Sequence, residues 1–123
     1  MSKTILVVED TEDNRRILDD LLSAAGFTVL EAEDGDIGVV KAAETRPDLI
    51  LMDVQLPTID GYEATRRIKA DPATQHIPII AVTSYAMSDE AARATAAGCD
   101  GYVSKPFSPR SVLALVRRFL PQA

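Results

Sequence analysis

The sequence predicts an α/β protein, a (βα)₅ doubly wound domain around a five-stranded parallel sheet. Short apolar runs alternate five times with stretches whose apolar residues recur at helical spacing, and this alternation is typical of a parallel sheet with helices on both faces. The first, third and fourth runs are the most apolar, as expected of central strands. We therefore predict the strand order 2-1-3-4-5.

Each predicted strand is a short apolar run next to turn residues or a helical pattern. The second run alternates apolar and polar residues, which is typical of an edge strand. The third contains four consecutive apolar residues, which we expect to be buried on both faces. The predicted strands are Thr4 to Val8, Phe27 to Ala32, Asp48 to Met52, Ile77 to Thr83 and Gly101 to Ser104.

The predicted helices are bounded by recognisable start and stop residues. Gly26 and Gly98 follow the first and fourth helical patterns, where glycine commonly ends a helix. Ser88 is the predicted N-cap of the fourth helix, and Ser108 caps the last helix with Pro109 at its first position. The predicted helices are Glu12 to Gly26, Asp36 to Arg46, Gly61 to Asp71, Ser88 to Gly98 and Ser108 to Leu120.

Composition narrows the class of protein. A chain of 123 residues has the length of one domain and buries roughly two-thirds of its unfolded surface. The single cysteine, Cys99, has no internal disulfide partner, which favours a reducing, cytoplasmic location. Thirteen Lys and Arg against nineteen Asp and Glu give a net charge of −6, which argues against direct DNA binding. The amino terminus resembles neither a signal peptide nor a membrane-inserted segment.

Acidic residues follow the first and third predicted strands. Glu9 and Asp10 come after the first strand, and Asp53 comes directly after the third. In the flavodoxin-like strand order these two ends border the crevice where ligands bind. The acids could simply begin the next helix, where they favour the helix dipole. Three carboxylates at one crevice instead predict a cation site, and oxygen ligands without His or Cys suit Mg²⁺.

Two further polar residues lie at the same predicted edge. Thr83 ends the fourth strand, and Lys105 follows the fifth. Each alone would be an ordinary loop residue. Together with the acids they supply a metal site, a carboxylate nucleophile, a hydroxyl donor and an ammonium group, which are the parts that phosphoryl transfer needs.

Four motifs carry a resemblance to a known family. They are VVED at 7–10, LILMDVQLPTIDGYE at 49–63, IIAVTS at 79–84 and GYVSKPF at 101–107. Over essentially its whole length the chain resembles the receiver domain of bacterial two-component response regulators, which act in phosphorelay signal transduction. Within that family it looks most like the DivK-type single-domain receivers.

The resemblance implies a magnesium site and a phosphoacceptor. Asp53 resembles the phosphoacceptor, which takes a phosphoryl group from a histidine kinase or a histidine phosphotransfer protein. Asp10 and Asp53 would bind Mg²⁺ directly, Glu9 through water, and Gln55 through its backbone carbonyl. Such a phosphoprotein is not a turnover enzyme, since it catalyses only its own phosphorylation and dephosphorylation.

The resemblance also implies a switch. Thr83 resembles the hydroxyl that moves onto the phosphoryl group, and Lys105 resembles the lysine that pairs with it. The Lys105–Pro106 bond is similar to the family's cis peptide. Tyr102 stands at the position of the switch aromatic, although it could simply be a half-buried edge-strand tyrosine. A downstream protein target is expected on the face formed by residues 88–120.

Several alternatives and structural interpretations remain at this stage. We expect residues 1–123 to form one receiver domain without an output domain, but a receiver excised from a hybrid kinase would have similar motifs. A haloacid-dehalogenase-like phosphatase would need an acid where Gln55 stands, and a flavodoxin would need an uncharged phosphate loop. A receiver-like module that is never phosphorylated is a third alternative.

We give a structural interpretation to the remaining residues that could suggest function. His76 is interpreted as a loop residue, Cys99 as a packing residue and Tyr85 as a residue flanking the site. The paired arginines are interpreted as solvated helix faces: Arg15, Arg16, Arg66, Arg67, Arg117 and Arg118.

Overall fold

A computed structural model of the protein describes residues 2–83, 88–106 and 108–121, with the side chains of 88–90 left out. Within these residues, five strands alternate with five helices. The strands are β1 (Thr4–Val8), β2 (Thr28–Ala32), β3 (Leu49–Asp53), β4 (Ile79–Thr83) and β5 (Gly101–Ser104). The helices are α1 (Glu12–Ala24), α2 (Gly35–Thr45), α3 (Gly61–Ala70), α4 (Ser88–Ala97) and α5 (Pro109–Phe119).

The strands form one parallel sheet in the order β2-β1-β3-β4-β5. This confirms the predicted fold class and strand order. The register aligns the carboxyl ends of the central strands: Val8 pairs with Met52, and Asp53 pairs with Val82. The residues that leave these strands therefore emerge together at one edge of the sheet.

Helices cover both faces of the sheet. Alternate residues of a strand point to opposite faces, so Ile5 and Val7 pack in one apolar core while Leu6 and Val8 pack in the other. Helices α1 and α5 supply the first core, and α2 and α3 supply the second. Every residue of β3 and β4 is buried, as the predicted two-sided burial requires.

The predicted boundaries are wrong by one or two residues at several ends. The fourth strand was predicted to begin at Ile77, but in the structure β4 begins at Ile79. Ile77 is buried in the core without being part of the ladder, and Pro78 has no amide hydrogen to donate to a neighbouring strand. The second strand begins one residue later than predicted, at Thr28. The third extends one residue further and includes Asp53.

Side-chain caps begin three of the helices. Asp34, Asp60 and Ser108 each accept a hydrogen bond from the backbone amide three residues further on, which satisfies a donor that the helix itself leaves open. This confirms the predicted cap at Ser108. Helix α4 begins at Ser88, whose side chain lies outside the described part of the chain, as does Tyr85. In the described residues, no helix is long and apolar enough to cross a membrane.

Gly61 brings α3 against the end of β3. Its amide donates to the carbonyl of Val54 at 2.9 Å. A Cβ atom at this position would lie 2.1 Å from the carbonyl oxygen of Asp53 and 2.9 Å from the Cα of Val54. Both are backbone atoms, which no side-chain rotation can move aside. The absence of a side chain at Gly61 is therefore needed to hold the backbone of Asp53 in place.

We expect Gly61→Ala to lower the free energy of unfolding by at least about 2 kcal/mol, because the added methyl group overpacks a backbone contact. Helix propensity alone would make the same change stabilising. Gly101→Ala is the matched control, since its added Cβ would meet only ordinary contacts at 3.6 Å or more. Urea unfolding measures both variants, and equal stability of Gly61→Ala and Gly101→Ala would contradict the assigned contact.

Candidate functional site

The carboxyl edge of the sheet carries the candidate site. Glu9 and Asp10 follow β1, Asp53 ends β3, Thr83 ends β4 and Lys105 follows β5. Glu9, Asp53 and Thr83 are each no more than 3% exposed, whereas Asp10 is exposed. Because β1, β3 and β4 are held in register by their ladders, these polar groups are carried on rigid supports.

Three carboxylates form the acidic cluster of the site. One carboxylate oxygen from each of Glu9, Asp10 and Asp53 lies within 4.8 Å of the others, and this is the one such group found among the described residues. Desolvation by the surrounding protein raises the pKa of Asp10, and the hydrogen bond and charge of Glu9 raise it further. Keeping all three carboxylates ionised is therefore unfavourable unless a cation lies close to them.

Lys105 supplies one cation to this cluster. Its Nζ donates to Glu9 Oε1 at 2.9 Å and to Asp53 Oδ2 at 3.2 Å. Burial alone would lower the pKa of Lys105, but the hydrogen bond to Glu9 and the charge of Asp53 outweigh burial and leave the pKa above its usual value. The lysine is thus held in its charged form between the two buried acids.

The backbone around Lys105 is tied to β4. Its amide donates to the carbonyl of Thr83 at 2.6 Å, and the Lys105–Pro106 peptide is cis, as the resemblance implied. The backbone bond ties Lys105 to the end of β4, and its side chain reaches Glu9, which follows β1, and Asp53 at the end of β3.

The Asp53 carboxylate is held from two sides. Oδ1 accepts from the backbone amide of Gln55 at 3.1 Å, while Oδ2 accepts from Lys105. The backbone amide of Val54, which lies between Asp53 and Gln55, donates to the carbonyl of Val82 on β4 at 3.0 Å. The side chain of Gln55 is exposed. Asp53 therefore presents a fixed carboxylate at the mouth of the crevice.

The predicted switch residues lie on the neighbouring strands β4 and β5. Thr83 pairs with Ser104, and Tyr102 pairs with Ala81 two residues further into the sheet. Thr83 is buried, whereas Tyr102 is 41% exposed. The structure therefore places Thr83 at the edge that carries the acids, and leaves the ring of Tyr102 turned outward on the edge strand.

His76 and Cys99 lie away from this edge. His76 is exposed in the segment before β4, which is the opposite end of a parallel strand. Cys99 is partly buried, packs against the core of the second sheet face and contacts the hydroxyl of Thr65. Desolvation raises the pKa of its thiol, so the reactive thiolate is disfavoured. Both structural interpretations agree with these positions.

The interpretation of the arginine pairs as solvated was wrong for Arg15. Its side chain is only 13% exposed, and it donates to the carbonyl of Glu9 at 2.8 Å and to Glu31 Oε1 at 3.2 Å. The signal was present in the sequence, because Arg15 lies three residues before Leu18 and seven before Leu22, on the same helix face. The other five paired arginines are exposed, as expected.

The arrangement combines a fixed carboxylate nucleophile with groups that stabilise anionic oxygens. Asp53 can attack an electrophilic centre, and Lys105 can offset negative charge that develops beside it. The three carboxylates are hard oxygen donors, the ligand type that Mg²⁺ prefers. The fold and this site together define a doubly wound α/β protein of the receiver type, with an acidic site at the carboxyl edge of its sheet.

Comparison with known families identifies the particular family. A model described as the response regulator receiver domain matches residues 5–117, and the chain belongs to this family. It is therefore a receiver domain of the kind found in two-component response regulators.

Relatives and solved structures are similar over the full chain. The polar-differentiation response regulator DivK of Brucella anthropi is 40% identical over 123 residues, which is all of both chains. A putative response regulator from Chloroflexus aurantiacus superposes with a TM-score of 0.94 at 30% identity, covering 99% of this chain and all of that one. The receiver domain of sensor histidine kinase PA1611 from Pseudomonas aeruginosa, solved with magnesium in its active-site cleft, gives 0.91 at 34% identity with coverage of 99% and 100%.

We expect Asp10→Asn to raise the free energy of unfolding in EDTA by up to about 1 kcal/mol, because desolvation and the neighbouring Glu9 both disfavour the charged Asp10 carboxylate. The effect is small because solvent screens this exposed group. The folded pKa of Asp10 is raised, so the folded protein binds the proton more tightly than the unfolded chain. The advantage of the variant should therefore be complete above the folded pKa and shrink as the pH falls through it.

Asp13→Asn is the matched control, because Asp13 is an exposed acid in the first turn of α1. Its negative charge favours the helix dipole, so its removal should be neutral or destabilising. Chemical denaturation across pH 4 to 8 compares the three proteins. An Asp10→Asn variant no more stable than wild type at neutral pH would contradict the repulsion assigned to the cluster.

Proposed function

We propose that this receiver accepts a phosphoryl group on Asp53 from the phosphohistidine of a histidine kinase or a histidine phosphotransfer protein, in a Mg²⁺-dependent reaction. The observation that carries the proposal is the ammonium group of Lys105, which contacts both Glu9 and Asp53 while Asp10 completes the acidic cluster. A carboxylate nucleophile beside a fixed cation is suited to phosphoryl transfer.

In the proposed reaction, a carboxylate oxygen of Asp53 attacks the phosphorus atom. A P–O bond forms, the P–N bond to the donor imidazole breaks, and its electron pair stays on the ring nitrogen. Lys105 is placed to pair with the oxygens of the transferred group, since its Nζ already lies 3.2 Å from Asp53 Oδ2. The protein then acts on its own carboxylate only, and is not a turnover enzyme.

The residues present fit a magnesium ion. Glu9, Asp10 and Asp53 offer oxygen ligands close enough to share one ion, and we propose that the backbone carbonyl of Gln55 adds another. When bound, Mg²⁺ would neutralise charge on the acids and on the phosphoryl oxygens. The acidic cluster supports this assignment, and so does the likeness to the PA1611 receiver, which was solved with magnesium in its cleft.

We further propose that phosphorylation switches a protein-binding face formed by residues 88–120. A phosphoryl group adds charge and acceptor oxygens, toward which the hydroxyl of Thr83 would move. Tyr102 would then turn inward from its exposed position. Helix α4 meets the sheet through Ala94 and Ala97, and such small side chains offer little resistance to a shift. A downstream protein target would bind the rearranged face.

We propose that the protein works as a single receiver domain without an output domain. The DivK relative matches from end to end, which supports this organisation. A receiver belonging to a hybrid kinase is the second candidate, and the likeness to the receiver of sensor kinase PA1611 favours it. Immunoblotting of the native gene product distinguishes them, because a hybrid kinase would be several times larger than the 123-residue chain.

We expect the protein to gain one acyl phosphate from acetyl phosphate in Mg²⁺, and none in EDTA. Asp53→Asn should abolish this product because the amide is not a nucleophile of comparable strength. Asp60→Asn is the matched control: Asp60 is an exposed N-cap in the following loop, and because Asn caps a helix about as well as Asp, this variant should keep its stability and still be phosphorylated. Mass spectrometry with base treatment detects the product. Full phosphorylation of Asp53→Asn would remove Asp53 from its proposed role.

We expect Thr83→Ala to accept the phosphoryl group on Asp53 but to fail to switch. NMR spectra with and without beryllofluoride, a phosphoryl mimic, should show shifts at Tyr102 and α5 in wild type and far smaller ones in the variant. Thr74→Ala is the control, since Thr74 is buried and bonded to the carbonyl of Ile68 at the opposite end of the fold. A wild-type response confined to the surroundings of Asp53 would contradict the proposed switch.

A further inference from the structure

Arg15 links the first turns of α1 to the loop that carries the acids. Its Nη1 donates to the carbonyl oxygen of Glu9 at 2.8 Å, and its Nε donates to Glu31 Oε1 on β2 at 3.2 Å. Its own amide makes an ordinary helical bond to the carbonyl of Thr11. The side chain is 13% exposed, so both contacts are largely shielded from water. Arg16, its neighbour, is exposed.

The carbonyl that Arg15 holds belongs to the peptide unit between Glu9 and Asp10. The amide of Glu9, in the preceding peptide unit, donates to the carbonyl of Ala32 on β2 at 3.0 Å. Both peptide planes that flank Glu9 are therefore fixed, one by β2 and the other by Arg15. The plane held by Arg15 flanks both Glu9 and Asp10 and so helps to set the direction of both side chains, of which Glu9 is buried and Asp10 is exposed.

We propose that Arg15 is a positioning residue for the metal site, because its bond to the Glu9 carbonyl fixes the direction of the Asp10 carboxylate. This inference rests on the proposed binding of Mg²⁺ by the acidic cluster. Arg15 does not belong to the cluster: its side-chain hydrogen bonds go to the backbone carbonyl of Glu9 and to the carboxylate of Glu31. Its effect on metal binding is transmitted through the backbone of Glu9.

The charge of Arg15 allows a clear test, because a charge effect and a positioning effect would change the affinity for Mg²⁺ in opposite directions. A positive charge near the site repels Mg²⁺, so removing it should tighten metal binding by Coulomb's law alone. If Arg15 instead orients Asp10, removing it should weaken metal binding. Arg16→Ala supplies the Coulomb baseline, because it removes the same charge from the next position without removing a bond to Glu9.

We expect Arg15→Ala to raise the dissociation constant for Mg²⁺ at least about fivefold relative to Arg16→Ala, a difference of about 1 kcal/mol. NMR titration of the full chain with MgCl₂ measures it. In EDTA, the amides of Asp10 and Thr11 should exchange with solvent faster in Arg15→Ala, while core amides of β3 exchange as in Arg16→Ala. Arg15→Ala binding Mg²⁺ as tightly as Arg16→Ala, or more tightly, would overturn the proposal.

Two further variants separate positioning from folding. Glu31→Gln removes the ion pair with Arg15 but keeps the bond to the Glu9 carbonyl, so its affinity for Mg²⁺ should stay near that of wild type. A loss equal to that of Arg15→Ala would assign the effect to the ion pair and overturn the proposal. In Arg15→Lys, the lysine can reach the Glu9 carbonyl but cannot span both partners of Arg15. Its affinity for Mg²⁺ should therefore lie between those of Arg15→Ala and wild type. This variant also provides the test if Arg15→Ala fails to fold.

The outcomes distinguish this inference from the proposed function. A wild-type protein that shows no Mg²⁺-dependent shifts near Glu9 and Asp53 would contradict the metal site itself. The exchange rates of Asp10 and Thr11 in EDTA would still test the hold of Arg15 on the loop, because that measurement contains no metal. Unchanged exchange in Arg15→Ala would overturn the positioning role whatever the metal result.

Discussion

The contact of Lys105 with two buried carboxylates is the interaction on which the site depends. Glu9 and Asp53 are almost fully buried, and a buried charge without a partner costs several kcal/mol. The Nζ of Lys105 lies 2.9 Å from Glu9 Oε1 and 3.2 Å from Asp53 Oδ2. Its positive charge offsets the cost of burying both carboxylates. The third acid, Asp10, remains without a cation of its own, and its pKa is raised first by desolvation and then by the neighbouring Glu9.

The sheet explains why this arrangement can be held so closely. The central strands β3 and β4 are buried on both faces, so the end of β3 has little freedom to move. The backbone approach of Gly61 to Asp53 and the bond from Gln55 to its carboxylate fix the same residue from the following loop. In the proposed reaction, a carboxylate held in this way would lose little additional entropy.

Much of the fold and site followed from the sequence because both depend on local patterns. The alternation of apolar runs and helical patterns predicted the parallel sheet. The predicted strand ends identified the acids and Lys105 as site residues. Arg15 was misread because its role depends on folded geometry, which brings it to the Glu9 carbonyl after β1 and to Glu31 on β2, although its helix face pointed inward. The start of β4 was misplaced because Ile77 is apolar and buried but lies outside the ladder.

The resemblance supplied what pattern alone left open. Residue spacing allowed either helix-starting acids or a cation site, and the structure brings the three carboxylates together. The direction of the Tyr102 ring and the tight packing of Gly61 depend on side-chain and backbone geometry that no periodicity encodes.

A crystal structure of the protein grown with Mg²⁺ and beryllofluoride tests the central claim most directly. The account predicts beryllofluoride on a carboxylate oxygen of Asp53, with Lys105 in contact with its fluorines and one cation bound by the oxygens of Asp10 and Asp53. Beryllofluoride on another acid, or a cation bound elsewhere with Lys105 still between Glu9 and an unmodified Asp53, would contradict it.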